Sequence, residues 1–160
     1  MMTRRELRFE TFDDAVRDAE HLLSVGYDRV GKWDLAQCCG HLQRWISYPM
    51  DGFPPTPLLF RPILFLMRNL VAPRELSKAL ESGTTKPGMP TIPQSVPHPG
   101  EDAAKAVQAF RETVARFKSH PGPFHPSPLF GSLDREKLTR LHVIHAAHHL
   151  SFLVPKTAGA

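Results

Sequence analysis

Cysteine is scarce in this sequence, which has only two among 160 residues. They are adjacent, Cys38 and Cys39, in a segment with helical periodicity. Neighbouring residues of a helix point about 100° apart, so this pair makes a poor disulfide bond. A disulfide-stapled fold is therefore excluded, and free thiols favour a reducing compartment. The first ten residues, MMTRRELRFE, are also too polar for the apolar region of a secretory signal. We predict a cytoplasmic protein.

The sequence has no run of apolar residues long enough for a membrane span. Its most apolar stretch, residues 58–72, falls short of the roughly 20 residues that a span needs, and Arg61, Pro62 and Arg68 interrupt it. We expect instead a buried helix from about residue 62 to 70, with proline in its first turn. The alternative is an exposed apolar surface used for a dimer contact or for an apolar ligand.

Charged residues of one sign form no long consecutive run in this sequence. The net charge of +4 results from 20 basic and 16 acidic residues, which are interspersed, and no basic run is longer than Arg4 and Arg5. Nucleic-acid-binding proteins usually cluster their lysines and arginines on one face, whereas this mild excess is typical of a solvated surface. We therefore expect neither nucleic acid nor a membrane among the partners.

Sustained alternation of apolar and polar residues, the signature of strands, is absent as well. Four helical patterns flank a proline-rich middle, and 15 of the 16 prolines lie between Pro49 and Pro128. We predict a single all-α domain over residues 1–160, an antiparallel four-helix bundle with a long proline-rich crossover. The crossover spans residues 49–100 and includes the short apolar helix, and residues 1–10 form an extended arm.

The helical segments carry signals for their ends. Thr11 is suited to cap the first helix, and Asp34 and Gln37 have the spacing of a capping box at the start of the second. Pro49 and the run GFPPTP, residues 52–57, are expected to end that second helix, and Asp134 is suited to cap the last one. The expected buried positions are Phe12, Ala15, Val16, Ala19, Leu22 and Leu23 in the first helix and Ala103, Val107, Phe110, Val114 and Phe117 in the third.

Four of the nine histidines lie in one helical segment, residues 138–153. At about 100° per residue, His142, His145 and His149 fall within a stripe about 60° wide that apolar residues flank, so the rings face inward. Burying imidazoles is unfavourable unless each ring finds a partner, and a metal ion would supply one. His145 and His149 have the i, i+4 spacing with which two helical imidazoles bind one divalent cation. The alternative is a pair of core histidines with ordinary hydrogen-bond partners.

A third ligand is expected from the second helical segment. His41 lies at the edge of its apolar face beside Trp45, and a bundle could bring it to the pair on the last helix. Three protein nitrogens leave positions open for water or substrate, as in catalytic zinc sites. His142 is expected to support the ligands from behind or to form a pocket wall. Cys38, one turn before His41, could ligate, but its position on the apolar face favours core packing. The aromatic candidates for the pocket mouth are Trp33, Trp45, Tyr48 and Phe53.

The motifs WDLAQCCGHL, GFPP, GMPTIP and FGSLDREKLTRLHVIHAAHHLSFL resemble those of the DinB/YfiT-like superfamily of metal-binding four-helix bundles, and within it domain-of-unknown-function family 1569. The resemblance covers nearly the whole chain. In that superfamily a histidine of the second helix and an H-x-x-x-H pair of the last helix bind a divalent metal, which implies His41, His145 and His149 here. We expect zinc or nickel.

Some relatives in the superfamily look like thiol-dependent transferases or isomerases that use bacillithiol, mycothiol or glutathione. Many members end the site with a histidine followed by Arg-Gly-Gln, whereas here His149 is followed by Leu150, Ser151 and Phe152. The resemblance therefore implies a metal site more strongly than it implies one particular reaction.

Two functions fit these residues. In the first, an ion held by the three histidines lowers the pKa of a bound water or thiol, and the protein is a transferase or hydrolase acting on a small molecule, with a low-molecular-weight thiol as a partner. In the second, the cluster organises a non-catalytic ligand or metal site or a homodimer. The sequence shows no Ser-His-Asp order, phosphate-binding glycine loop or paired carboxylates. The lack of a general acid or base favours the second function, and the open coordination favours the first.

Overall fold

Helices make up most of the protein. The structure, a computed structural model, describes residues 3–85 and 93–156. Within them lie six α-helices and two short strands, and the prediction of an all-α protein is confirmed. In chain order the elements are α1 (Phe12–Val25), β1 (Tyr27–Arg29), α2 (Leu35–Asp51), α3 (Arg61–Leu70), α4 (Ala72–Ser82), α5 (Ala103–Ser119), α6 (Arg135–Leu150) and β2 (Leu153–Pro155).

The predicted helix caps are all present. Thr11 accepts a hydrogen bond from the backbone N–H of Asp14, whose carboxylate accepts one in return from the Thr11 backbone. Asp34 and Gln37 form the same reciprocal box at the start of α2, and Asp134 caps α6. Each cap satisfies N–H groups that have no partner inside the helix, which is worth about 1 kcal/mol. These contacts fix where α2 and α6 begin and hence which of their side chains face inward.

Four helices enclose the core. α1 and α2 each contact both α5 and α6, and their apolar faces meet in one buried cluster. The expected buried positions of α1 and α5 lie in or against that cluster, with one exception. Leu23 of α1 is 39% exposed, so its predicted burial is wrong. It lies in the last turn of α1, beside the equally exposed Ser24 and Val25, where no neighbouring helix covers it.

A small antiparallel sheet, which the sequence did not predict, joins the end of α1 to the end of α6. Tyr27 pairs with Pro155 and Arg29 with Leu153. Three-residue strands are too short to show alternation, so their pairing leaves no periodic signal. The segment at residues 3–9, which has neither helix nor strand, is tied to the same region, because Arg5 donates its backbone N–H to the carbonyl of Ser151 at 3.0 Å.

Pro49 does not end the second helix, which continues to Asp51; the helix ends where the run GFPPTP begins, at Gly52, and this part of the prediction is confirmed. A proline so close to the C-terminal end costs the helix only one backbone hydrogen bond. The Pro49 carbonyl also accepts the backbone N–H of His125 at 2.7 Å, which anchors the last turn. Gly52, with a φ of +103°, then takes the chain out of the helix.

The helix predicted at residues 62–70 exists as α3, with Pro62 in its first turn, but the prediction that it is buried is wrong. No residue of α3 is buried, because among the described residues the helix packs mainly against α4 and the 3-10 turn Leu58–Phe60 that precedes it. α4 follows α3 directly and ends before Gly83, whose φ of +67° is left-handed. No helix in the described ranges is both long enough and apolar enough to cross a membrane. Part of the predicted crossover, residues 86–92 with most of GMPTIP, lies outside the described residues.

Candidate metal centre

Three histidines from two helices meet at one point. α6 presents His145 and His149 one turn apart, and α2 presents His41 from the opposite side. The Nε2 atom of His145 lies 3.3 Å from Nε2 of His41 and 2.9 Å from Nε2 of His149. One nitrogen from each ring lies within 4.8 Å of the other two. The structure thus brings together the three residues that helical spacing had singled out.

The orientation of the His41 ring is set by the chain between α4 and α5. Its Nδ1 lies 2.9 Å from the carbonyl oxygen of Ser95, and His41 is only 1% exposed. A carbonyl oxygen can only accept, so Nδ1 carries the hydrogen and donates it. In the neutral ring Nε2 then has a free lone pair, which points at the cluster. Backbone carbonyls fix metal-binding histidines in the same way in known sites.

The three nitrogens cannot satisfy one another. A ring nitrogen carries either one hydrogen or one lone pair in the ring plane, and Nε2 of His145 faces both other rings. If Nε2 of His145 carries a hydrogen, it can donate to only one of the two rings. If it instead accepts a hydrogen bond from His149, its lone pair faces the lone pair of His41. One of the two short contacts is therefore always without a hydrogen bond, which is costly in a buried place unless a cation lies between the rings.

Burial keeps the three rings uncharged at neutral pH. It is the largest cause that lowers the pKa of His41, to about 4, and the pKa of His149, to about 2. Burial likewise holds the pKa of His145 well below its ordinary value of 6.5, and the neighbouring histidines lower it further. All three rings are therefore neutral at pH 7, and each has one nitrogen with a free lone pair, which is the state that binds a metal.

The donor set fits a divalent ion. Two nitrogens that are each about 2.05 Å from one zinc ion lie about 2.9 Å apart at a right angle and about 3.3 Å apart at the tetrahedral angle. The separations on either side of His145 are 2.9 and 3.3 Å. The described residues bring no fourth histidine, cysteine or carboxylate into the group, so three imidazoles leave positions for water or a ligand.

Two tryptophans enclose the cluster. Trp33 stacks on His149 with ring centroids 5.1 Å apart and also contacts His41 at 4.8 Å. Trp45 meets His145 edge to face at 5.7 Å, and its indole Nε1 is buried without a hydrogen-bond partner in the described part of the protein. These rings limit access of water to the nitrogens, and the Trp45 N–H is a donor beside the cluster.

His142 does not contact the other three rings closely. It packs between Phe12 and Phe117, with ring centroids 6.4 and 5.7 Å away, and it is 4% exposed. Burial lowers its pKa to about 4, and its Nε2 finds no hydrogen-bond partner among the described residues. The contacts place it in the apolar core behind the cluster rather than at the cluster itself.

Cys38 also belongs to the core. Its sulfur lies 3.8 Å from the backbone carbonyl of His149, and burial raises the pKa of the thiol to about 12. Burial raises the pKa of Cys39 in the same way, and both cysteines are free. Because metals bind the thiolate, neither side chain is suited to ligate here.

Sequence reasoning missed one neighbour of the cluster, Ser95, and left the role of another, His148, open. Ser95 acts through its backbone carbonyl, which no side-chain motif can reveal. His148 lies beside the cluster with its ring 5.0 Å from that of His149, and Arg4 approaches its Nδ1 to 3.4 Å. Burial, followed by the charge of Arg4, lowers the pKa of His148. The position of Arg4 depends on the chain before α1, which has no periodic signal.

The fold and the cluster define a helical protein with a buried group of three histidines that is suited to a divalent cation. The chain belongs to the DUF1569 family, described as a protein family of unknown function, whose model matches residues 1–156. Comparison with curated proteins and with solved structures gave no match.

Proposed function

We propose that this chain is a DinB-like metal-binding protein whose four long helices form an antiparallel four-helix bundle. The contacts of α1 and α2 with both α5 and α6 support this arrangement, and the segment between α2 and α5 would be its long crossover. The positions of His41, His145 and His149 on the second and last of these helices agree with the ligand positions that the resemblance implies.

The metal is proposed to be divalent, zinc or nickel, held by Nε2 of each of the three histidines. The observation that supports this most directly is the pair of short Nε2 separations, 3.3 and 2.9 Å, between uncharged rings that cannot satisfy one another. Such an ion supplies Lewis acidity at its open positions, which activates a water or thiol near neutral pH. The protein contributes the fixed tautomer of His41 and walls that exclude water.

The reaction proposed is either the transfer of a low-molecular-weight thiol to a small molecule or the hydrolysis of a small molecule. The thiol must come from a second substrate, because Cys38 is buried, protonated and turned toward a backbone carbonyl. The buried N–H of Trp45 is positioned to orient a substrate acceptor atom. The two unpaired thiols fit a reducing environment, which supports a cytoplasmic location.

A second candidate is a non-catalytic metal- or ligand-binding protein or a dimerisation module. It is favoured by one observation: no carboxylate in the described residues hydrogen-bonds to His41, His145 or His149, so the cluster has no evident general acid or base.

Elemental analysis of protein purified without a histidine tag tests the metal site. We expect about one zinc or nickel per chain and its loss in His41→Ala, His145→Ala and His149→Ala. The exposed His21→Ala is the matched control and should retain the metal. If wild-type protein carries no metal after incubation with zinc and nickel, both the site and the enzymatic proposal are wrong.

Cobalt substitution then tests the thiol-transfer form of the first candidate function. A small thiol that enters an open coordination position adds a sulfur-to-metal absorption band to the cobalt spectrum. Such a band, saturating with thiol and weakened by Trp45→Phe, supports thiol transfer. A spectrum that no thiol changes favours hydrolysis or non-catalytic binding.

A further inference from the structure

The largest unexplained feature outside the metal centre is a stretch of exposed apolar side chains, which we call the apolar edge, at residues 58–71. Eight of its large apolar residues are 47% to 84% exposed, namely Leu58, Leu59, Phe60, Ile63, Phe65, Leu66, Leu70 and Val71. Single exposed apolar residues are common, but a contiguous group of this size marks an interaction surface.

The charge around the apolar edge has one sign. From residue 52 to residue 74 the sequence contains Arg61, Arg68 and Arg74 and no aspartate or glutamate. In the described part of the chain, neither Arg61 nor Arg68 takes part in an ion pair. The guanidinium group of Arg68 lies against Gly131, where an added Cβ would be 2.9 Å from its Nη2 atom. Unpaired cations beside exposed apolar residues suit a partner that is both apolar and anionic.

On α3 the arginines lie on one side and most of the exposed apolar residues on the other; Phe65 is the exception, because it lines the same groove as the arginines. At about 100° per residue, Ile63, Leu66 and Leu70 fall within about 60° of one another, and Arg61 and Arg68 lie roughly opposite. The arginine side lines an open groove of about 360 Å³ against Phe53 and Pro128, while the other side is uncovered. A helix with leucine and isoleucine on one face and arginine on the other is the type that lies flat in a membrane interface.

We propose that the apolar edge docks on the surface of an anionic lipid bilayer, with the uncovered side of α3 entering the interface. α3 is too short to span, as it has 10 residues, so the contact is peripheral. The sequence had predicted no membrane partner, because its apolar stretch is too short to span and its charged residues are interspersed, but it had also predicted that α3 is buried, which the structure contradicts. A second copy of the chain is disfavoured as the occupant, because it would cover the apolar side of α3 but its own residues 52–74, which contain no aspartate or glutamate, would offer no acidic partner to Arg61 and Arg68.

Vesicle co-sedimentation tests the proposal. Metal-loaded wild-type protein should pellet with vesicles of phosphatidylcholine and phosphatidylglycerol, much less with phosphatidylcholine alone, and less at high salt because salt screens the arginines. The variant Ile63→Gln/Leu66→Gln/Leu70→Gln should bind the anionic vesicles about 100-fold more weakly. Leu23→Gln, which changes an exposed leucine of α1, is the matched control and should bind like wild type.

A second variant tests the charge. Arg61→Gln/Arg68→Gln should bind anionic vesicles about 30-fold more weakly, since each arginine near such a surface contributes to binding. The control is Arg17→Gln/Arg111→Gln, which lowers the net charge by the same amount at two positions on α1 and α5 that are more than half exposed. This variant should bind anionic vesicles nearly as well as wild type. All of these substitutions are at exposed positions, and circular dichroism verifies that the variants fold.

Three results would overturn the proposal. The first is wild-type protein that stays in the supernatant with anionic vesicles. The second is binding that the substitutions on α3 leave unchanged. The third is a wild-type dimer in analytical ultracentrifugation that does not bind vesicles and that is absent in the triple variant. The apolar edge would then be covered by a second copy of the chain.

Discussion

Replacing His142 with leucine measures how much the burial of one uncharged histidine contributes to the pH dependence of stability. His142 lies outside the metal centre, so the three histidines of the cluster remain in place. The ring lies between Phe12 and Phe117, and its pKa is lowered from 6.5 to about 4 by burial. The unfolded chain therefore binds a proton at mildly acidic pH that the folded protein does not, so stability is lost as the pH falls below 6.5. At pH 5.5, one unit below 6.5, this loss is about 1.4 kcal/mol for His142 alone.

His142→Leu does not lose this stability at pH 5.5, because a leucine side chain cannot bind a proton in the unfolded chain. At pH 7.5 we expect a small net effect, since removing a buried Nε2 without a partner gains about 1–3 kcal/mol and the lost contacts with two phenylalanine rings cost about 0.5–1.5 kcal/mol each. Between pH 7.5 and pH 5.5 the stability of His142→Leu relative to wild type should rise by about 1.4 kcal/mol. The three histidines of the cluster are present in both proteins, so their contribution cancels.

Urea denaturation at the two pH values, with a chelator present, measures this difference. His21→Gln, which removes an exposed imidazole from α1, is the control for a general effect of histidine loss and should show no such change. A difference between wild type and His142→Leu that is the same at pH 7.5 and pH 5.5 would refute the neutral burial of His142.

Three further predictions concern the fold around the site. Arg5→Gln should lower the free energy of unfolding by about 2 kcal/mol, because Arg5 donates to both carboxylate oxygens of Asp18 at 2.8 and 2.7 Å and to a carbonyl at the end of α6. Urea midpoints measure this loss, and Arg8→Gln at an exposed position is the control. Asp34→Ala should cost about 1 kcal/mol by removing the α2 cap, while Asp34→Asn should retain most of the stability, and equal losses in both would contradict the capping role. The two adjacent cysteines should resist a thiol reagent in the native protein and react rapidly in denaturant, since both are buried with raised pKa values; fast labelling of native protein would show that α2 is open to solvent.

The histidine cluster could be predicted because its information is local. The box formed by Asp34 and Gln37 fixes the start of α2 and hence the direction of His41, and the i, i+4 spacing of His145 and His149 fixes theirs. Meeting at one point then follows from packing the inward faces of two helices together, because each face is determined by short-range periodicity.

The features that were missed depend on contacts between distant segments. The burial of α3 is decided by whether another element covers it, and an apolar sequence alone does not contain that information. Likewise, the carbonyl of Ser95 reaches His41 from a proline-rich segment whose path has no periodic signal. Pro49 stays inside α2 because the loss of one hydrogen bond is tolerated near the end of a helix that is held by its other contacts.

The hydrogen bond from His41 to Ser95 links the state of the site to the path of the chain between α4 and α5. A neutral imidazole has a single ring hydrogen, which is free to move between its two nitrogens when no acceptor holds it. If the short turn that contains Ser95 shifted away, that hydrogen could transfer to Nε2 and point at His145, and a lone pair would be replaced by an N–H that repels a cation. The turn at Pro93–Ser95 thus fixes the tautomer of His41 in which the Nε2 lone pair is available to a cation.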